Sequence, residues 1–246
     1  MNFICCLLFA QALGIKYEDS EIRMTPAAII FDFDGVVADS EVRANMSLSE
    51  SLTAVGLPTT YEDCLRDYYG HNWQETERRI VARFGRPLPS DFRATHRERA
   101  RARYMEGFDP VPGVPAFLDT LGSLPRAIAS SSRAEYIGWA LDLFGLGHHF
   151  GEHIYSADGW DRGKPHPDIY LAAAKGLAVD PAACLAIEDS PTGAQSALAA
   201  GMTVIGFCGA GHIVDRAAHG AVLQRVGVHH VAMSFDAVAD LLAAAK

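Results

Sequence analysis

The sequence predicts an α/β fold: a Rossmann-like parallel sheet with helices on both faces, plus an inserted all-helical cap domain. Three observations predict it. The apolar run at residues 27–31 is typical of a strand buried on both faces, and it ends in two acids, Asp32 and Asp34. Residues 41–109 then show helical periodicity without a strand. From residue 110 onwards, short apolar runs alternate with helical segments, as in a chain of βαβ units.

Composition limits the classes of function. The 246 residues are 49% hydrophobic and 21% charged, within the soluble globular range and enough for a core domain with a smaller insert. The net charge of −9 provides no general basic surface for nucleic acid, so an anionic substrate must be attracted by local charges. The five scattered cysteines favour a reduced, cytoplasmic protein over a disulfide or zinc framework.

The N-terminal segment is predicted to lie outside the folded unit. Residues 3–13 are apolar, but no Lys or Arg precedes them and the run is far too short to span a bilayer. Met24, directly before the first strand, could be the start of translation. We therefore expect an extension at 1–23, an α/β core made of 24–40 and 110–246, and a helical cap at 41–109.

Glycine positions predict four cap helices, because a glycine just past a helix end adopts the left-handed conformation cheaply. Thr60 with Asp63, and Asn72 with Glu75, resemble capping boxes at two of the helix starts. The predicted helices are 41–55, 61–69, 73–84 and 91–106, followed by Gly56, Gly70, Gly85 and Gly107.

In the core, strands and helices are predicted to alternate. Right-handed crossovers then give a parallel sheet, whose ligands bind at the carboxyl ends of the strands. Asp32, Ser130 and Asp189 all lie at such ends. After the first strand, the expected strands are 126–130, 154–156, 184–189, 203–208 and 230–234, and the expected helices are 112–121, 134–144, 168–175, 191–200 and 236–245.

Residues 32–40, DFDGVVADS, resemble the first motif of the haloacid dehalogenase-like (HAD) superfamily. The nearest resemblance is to the helical-cap subfamily of β-phosphoglucomutase, phosphoglycolate phosphatase and the phosphogluconate and sugar-phosphate phosphatases. It extends from about residue 25 to the C-terminus. Residues 189–196 and 207–212 look like the corresponding segments of the sugar-phosphate and phosphogluconate phosphatases. The resemblance implies an enzyme that acts on small phosphorylated metabolites.

Asp32 and Asp34 are the candidate catalytic pair. A carboxylate can attack a phosphoryl group to form an aspartyl-phosphate, which divides one difficult displacement into two easier ones. We assign this role to Asp32. Asp34 can protonate the leaving alkoxide and then deprotonate the attacking water.

A second acidic strand end predicts a Mg²⁺ site. Residues 184–190, CLAIEDS, end in acids that could hold a hard cation together with Asp32. The cation would screen the repulsion between these carboxylates and a phosphate. The resemblance implies that Asp189 is a direct ligand, that Glu188 is a ligand or holds a bound water, and that the Asp34 carbonyl also coordinates.

Ser130 and Lys164 are the candidate phosphate-binding groups. The Ser130 hydroxyl and the amides of the next turn can bind phosphate oxygens, although a serine-rich turn alone is more often a helix cap. Ser130 matches the second superfamily motif, and Ser131 is a further candidate. Lys164, in a stiff loop between glycine and proline, supplies a point charge and matches the third motif. We expect His166 to be structural or peripheral.

A helical insert directly after the nucleophile loop can close over the site and exclude water. Residues 70–73, GHNW, are the predicted specificity loop, with His71 and Asn72 as candidate substrate contacts; an ordinary helix-cap turn fits equally well. The arginines at 97, 99, 101 and 103 spread around their helix, so most are expected on the solvated surface. One of them could face the substrate.

Asp34 and Ala44 distinguish among the activities of related enzymes. Related dehalogenases lack the second aspartate and phosphonate hydrolases replace it, so Asp34 disfavours both. β-Phosphoglucomutase keeps both aspartates, but it carries a cap histidine where this chain has Ala44. A non-catalytic sugar-phosphate sensor would not need every catalytic group.

We therefore predict a Mg²⁺-dependent phosphatase for a sugar or sugar-acid phosphate such as phosphogluconate. The alternative is a β-phosphoglucomutase-like mutase. A monomer or weak homodimer is expected, without nucleic-acid or membrane partners.

Overall fold

The computed structural model describes residues 25–69, 73–156, 158 and 161–243. Its centre is a parallel sheet of six strands in the order β3-β2-β1-β4-β5-β6. The strands are β1 Ala28–Phe31, β2 Arg126–Ala129, β3 Ile154–Tyr155, β4 Cys184–Glu188, β5 Thr203–Phe207 and β6 His230–Ala232.

Strand β1 is buried on both faces, as its uninterrupted apolar sequence requires. Ile29 and Phe31 belong to one apolar cluster, whereas Ala28 and Ile30 belong to the cluster on the opposite face. This alternation follows from the two-residue period of a strand. Helices cover both faces, so the predicted fold class is confirmed.

Among the described residues, six α-helices accompany the sheet: α5 Val114–Thr120, α6 Ala134–Phe144, α7 Asp168–Gly176, α8 Pro191–Ala199, α9 Arg216–Val226 and α10 Phe235–Ala243. Residues of α5, α6 and α10 pack on the face that contains Phe31. Residues of α7, α8 and α9 pack on the face that contains Ile30.

Helix α9 was not predicted, although Asp215 caps its first turn and Gly227 follows it in the left-handed conformation. Gly220 lowers the helix propensity of this segment. The packing explains the glycine, because a Cβ there would lie 3.1 Å from Cγ1 of Val231 on β6. The close contact between α9 and β6 therefore matters more here than the helix propensity of glycine. Sequence periodicity does not reveal such a contact.

The first four of the five described α-helices between β1 and β2 form what we call the cap: α1 Glu41–Ala54, α2 Tyr61–Asp67, α3 Trp73–Phe84 and α4 Phe92–Met105. They enclose a separate small core that includes Leu52, Cys64 and Ile80. The capping box of Thr60 and Asp63 is present at the start of α2. Asn72, the other predicted cap, lies outside the described residues. In the part of the chain that the structure describes, no helix combines the length and apolar character needed to cross a membrane.

Candidate active site

The carboxyl ends of three adjacent strands bring the predicted groups together. Phe31 pairs with Ile187 of β4 and with Ile128 of β2. The next residue, Asp32, therefore lies between the ends of β4 and β2, and its amide donates a hydrogen bond to the Ile187 carbonyl (2.9 Å). Polar side chains that follow these strands consequently converge at one edge of the sheet.

Lys164 lies at the centre of this edge. Its Nζ is 2.6 Å from Oδ1 of Asp32 and 2.6 Å from Oε1 of Glu188, and it also donates to the Ala129 carbonyl at 3.0 Å. The hydroxyl of Tyr170 donates to the same Oε1 of Glu188 at 2.7 Å. The lysine side chain is only 6% exposed, so these ion pairs are shielded from solvent.

Burial and charge shift the pKa of each member of this ion pair in opposite directions. Burial raises the pKa of Asp32 to about 8, although the Lys164 charge lowers it. Burial would lower the pKa of Lys164, but the Asp32 and Glu188 carboxylates together raise it above its usual value. The lysine is therefore charged at neutral pH and favours the ionised form of Asp32.

Three buried carboxylates lie close together, and two of them, Asp32 and Glu188, pair with Lys164. Oxygens of Asp32, Glu188 and Asp189 lie within 4.8 Å of one another. Burial, followed by the charges of Asp32 and Glu188, raises the pKa of Asp189 well above its usual value. Such an excess of buried negative charge is unfavourable unless protons or cations compensate it. An all-oxygen set is what Mg²⁺ prefers, so these residues fit a divalent hard cation.

Gly35 gives Asp189 room to approach the loop that follows β1. Its φ of +82° is a left-handed conformation, and a Cβ there would clash with Oδ2 of Asp189. Glycine suits this conformation and this close approach.

Asp34 turns away from the acidic cluster and accepts three hydrogen bonds from hydroxyls. Ser40 Oγ donates to Oδ1 at 2.5 Å, Ser132 Oγ to Oδ2 at 2.5 Å and Tyr136 Oη to Oδ1 at 3.2 Å. The two aspartates of the motif thus have different partners: an ammonium group for Asp32 and neutral hydroxyls for Asp34. This difference suits a division of labour between a nucleophile and a proton-transfer group.

The three serines that follow β2 have different surroundings. Ser130 is buried, and its Oγ accepts a hydrogen bond from the Ser132 amide at 3.0 Å. Ser131 is exposed beside it. Ser132 is the serine of this turn that contacts Asp34. The predicted phosphate contacts of Ser130 and Ser131 stay predictions.

Tyr69 and two histidines form a set of contacts around Asp189 that the sequence did not reveal. Tyr69 Oη donates to Oδ2 of Asp189 at 3.2 Å, and Nε2 of His212 lies 2.6 Å from the same hydroxyl. Nε2 of His219 lies 2.6 Å from the Asp189 carbonyl. Burial, followed by the charge of His219, lowers the pKa of His212 to about 3. A neutral His212 can donate from Nε2 while the tyrosine hydroxyl donates to the carboxylate.

His212 could have been found from the sequence, because it lies in the segment 207–212 that resembles the sugar-phosphate phosphatases. Tyr69 could not, because it is 120 residues away from Asp189 and no sequence pattern links the two. The two predicted cap contacts, His71 and Asn72, lie outside the described residues. His166 is exposed, and its carbonyl accepts a hydrogen bond from Ser196 Oγ at 2.6 Å. This contact fits the structural or peripheral role predicted for His166.

Comparison with known proteins places this geometry in a family. A solved HAD family hydrolase from Deinococcus radiodurans R1, with bound phosphate and sodium, is 32% identical and superposes with a TM-score of 0.77; the match covers 90% of this chain and 97% of that one. The 6-phosphogluconate phosphatase of Escherichia coli is 27% identical over 75% of this chain and 84% of its own length. The fructose-1-phosphate phosphatase YqaB of Escherichia coli is 27% identical over 73% of this chain and 95% of its own.

The family model for haloacid dehalogenase-like hydrolases matches residues 26–201. That match includes the whole cap and the strand ends that carry the acidic cluster. The predicted superfamily and the predicted hydrolase class are confirmed. The chain belongs to the haloacid dehalogenase-like hydrolases.

Proposed function

We propose that this chain is a Mg²⁺-dependent phosphatase that hydrolyses a small phosphorylated metabolite through an aspartyl-phosphate on Asp32. The substrate class we favour is a sugar or sugar-acid phosphate, as in the names of the two Escherichia coli relatives. The proposal keeps the division into a core of 24–40 and 110–246 and a cap of 41–109.

One observation carries the proposal: Asp32 has one engaged and one available carboxylate oxygen. Lys164 binds Oδ1, while no donor among the described residues hydrogen-bonds to Oδ2. Lys164 and a bound Mg²⁺ would both favour the ionised form of Asp32, and an ionised carboxylate with a free oxygen at the carboxyl end of a central strand can attack a phosphorus atom. The resemblance named for the nucleophile motif supports the same role.

The reaction proceeds in two displacements. In the first, Oδ2 of Asp32 forms a bond to phosphorus, the bond between phosphorus and the ester oxygen breaks, and protonated Asp34 gives its proton to the leaving oxygen. In the second, Asp34 takes a proton from a water that attacks the phosphoaspartate. The bond between Asp32 and phosphorus then breaks, which releases inorganic phosphate and restores the carboxylate.

The remaining groups neutralise charge and position the phosphate. Asp32, Glu188, Asp189 and the carbonyl of Asp34 are the proposed Mg²⁺ ligands, and the bound ion would polarise the phosphoryl oxygens. Lys164 holds the Asp32 carboxylate, and the hydroxyls of Ser130 and Ser131 are proposed to bind phosphoryl oxygens. Cap closure would exclude bulk water from the phosphoaspartate.

The test is phosphate release from a panel of phosphorylated sugars and sugar acids, with and without Mg²⁺. The expected result is release that needs Mg²⁺ and is lost in Asp32→Asn, while the circular dichroism spectrum stays unchanged. Asp236→Asn on the exposed end of α10 is the matched control and should retain activity. β-Glucose 1-phosphate belongs in the panel: conversion to glucose 6-phosphate without phosphate release would contradict the phosphatase and support the mutase alternative.

A further inference from the structure

A cavity of about 620 Å³ opens beside Asp34, between α4 of the cap and the start of α6 in the core. We call it the α4–α6 cavity. Its wall includes the rings of Tyr104, Tyr136 and Trp139. Asp34, which is proposed to protonate the leaving oxygen, lies on the same wall, so this space is where the leaving group of a bound phosphate ester would extend.

Two arginines of the cap line this cavity. Arg97 and Arg101 are four residues apart on α4, so they share one face of that helix. Both are exposed, and neither has a carboxylate within 4.0 Å among the described residues. In contrast, Arg103 on the same helix forms ion pairs with Glu50 and with Glu106.

Arg133 faces these arginines from the core side of the cavity. Its side chain is 78% exposed and lies 3.5 Å from the carboxylate of Asp158. That single contact is loose and solvent-screened, so it leaves most of the five guanidinium donors available. Three guanidinium groups from two domains therefore border one cavity.

The acids that line the cavity do not neutralise Arg97 and Arg101. Asp34 accepts hydrogen bonds from three neutral hydroxyls, and among the described residues it forms no ion pair with either arginine. Glu41 accepts a hydrogen bond from Asn45 Nδ2 at 3.2 Å, and burial followed by the charge of Asp34 raises its pKa to about 7. Glu135 is exposed at the start of α6 and lies beyond 4.0 Å from both arginines. The unpaired charge on the cap wall is therefore positive.

We propose that the α4–α6 cavity binds the leaving group of the substrate and that Arg97 and Arg101 recognise a second anionic group on it, a carboxylate or a second phosphate. The proposal rests on the proposed phosphatase function and narrows its substrate class. Guanidinium forks match both oxyanions, because either can accept paired N–H hydrogen bonds. The aromatic wall would pack against the carbon chain between the two anionic ends.

The relatives leave the charge of the leaving group open, since one is named for 6-phosphogluconate and the other for fructose 1-phosphate. Two matched substrate pairs can decide it. The first is 6-phosphogluconate with sorbitol 6-phosphate, which differ only in a carboxylate or a hydroxymethyl group. The second is fructose 1,6-bisphosphate with fructose 1-phosphate, which tests a second phosphate instead.

The experiment measures kcat/KM for both pairs in the wild type, in the double variant Arg97→Gln/Arg101→Gln and in Arg99→Gln. We expect the wild type to prefer the anionic member of at least one pair by about tenfold or more, as charge-assisted hydrogen bonds would give. The double variant should lose that preference and keep its rate on the neutral member. Arg99 is on the same helix but lines a different depression with Ser49 and Glu50, so Arg99→Gln should behave as the wild type.

Equal wild-type kcat/KM within both pairs would overturn the proposal, and so would an equal loss on both members in the double variant. Arg99→Gln reproducing the double variant would also overturn it, because general surface charge would then be the cause. The proposed function fails separately: it is contradicted if the wild type, with Mg²⁺, releases no phosphate from any of these esters or from p-nitrophenyl phosphate.

Discussion

The Tyr69 hydroxyl of the cap lies 3.2 Å from Oδ2 of Asp189, a core carboxylate at the end of β4. His212 of the core completes this contact, with its ring 4.6 Å from the Tyr69 ring. A hydrogen bond that fixes one carboxylate oxygen determines where the other oxygen points. The position of the cap and the orientation of a proposed Mg²⁺ ligand are therefore physically connected.

Replacing Tyr69 by phenylalanine removes this hydrogen bond and keeps the ring. Partners that orient a metal ligand typically contribute 10- to 100-fold in metal affinity. We expect Tyr69→Phe to raise the Mg²⁺ concentration that gives half-maximal activity about tenfold, with a smaller change in kcat at saturating Mg²⁺. Tyr61→Phe, on an intermediately exposed tyrosine of α2, is the control. An unchanged Mg²⁺ requirement would show that Tyr69 does not orient Asp189.

Lys164 is expected to stabilise the fold as well as the site. Lys164→Met leaves Asp32 and Glu188 buried without their cation, and breaking a buried pair in this way costs about 3–5 kcal/mol of the free energy of unfolding. Lys175→Met, on the exposed end of α7, should have little effect. Urea unfolding without Mg²⁺ measures both. Equal midpoints for the two variants would contradict the structural role assigned to Lys164.

The stability of the metal-free protein should fall as pH rises from about 6.5 to about 8. Asp32 has a folded-state pKa of about 8 against 3.8 in the unfolded chain, so the folded protein binds more protons in this range. The stabilisation is complete below the unfolded pKa and disappears as pH rises through the folded one. Burial of Asp189 acts in the same direction. His212, whose pKa is lowered to about 3, acts in the opposite direction only below its ordinary value of 6.5.

Mg²⁺ should reverse this loss of stability with rising pH, because it replaces protons on the same carboxylates. Urea midpoints at both pH values, with and without Mg²⁺, provide the measurement. We expect the stabilisation by Mg²⁺ to be larger at the higher pH. A Mg²⁺ effect that shrinks as pH rises would mean that the ion binds elsewhere.

Asp34→Asn should slow esters with poor leaving groups more than activated ones. The amide cannot donate the proton that an alkoxide needs, whereas p-nitrophenolate leaves without protonation. The comparison is single-turnover alcohol release from an alkyl phosphate and from p-nitrophenyl phosphate. Equal losses on both would argue against Asp34 as the proton donor. Asp39→Asn, which alters the nearby carboxylate that accepts a hydrogen bond from the Gly211 amide, is the control.

The sequence was sufficient to predict those candidate site residues that lie close together in one segment of the chain. Asp32 and Asp34 are two residues apart, and the apolar strand before them placed both at a sheet edge. The α/β alternation predicted a parallel sheet, and with it that Asp32, Ser130 and Asp189 lie at the carboxyl ends of strands. The strand order, which makes β2 and β4 the neighbours of β1, came only from the structure. The capping box of Thr60 could also be predicted from the sequence, because both of its residues lie at the start of one helix.

Contacts between distant segments were not accessible in this way. Tyr69 reaches Asp189 only because the cap folds back over the core, and nothing in the local sequence specifies that approach. The arginines at 97, 99, 101 and 103 on α4 looked equivalent in the sequence. Only the packing of α4 against the core distinguishes Arg97 and Arg101, which line the cavity, from Arg99, which does not.

The central claim is that Asp32 becomes phosphorylated, and Asp34→Asn offers a way to observe it. With p-nitrophenyl phosphate and Mg²⁺ this variant should form the phosphoaspartate but hydrolyse it slowly, because its general base is absent. Acid quenching followed by intact-mass and peptide mass spectrometry should find one phosphoryl group on Asp32, and none in Asp32→Asn/Asp34→Asn. A burst of p-nitrophenol with unmodified Asp32, or a phosphoryl group on another residue, would contradict the mechanism.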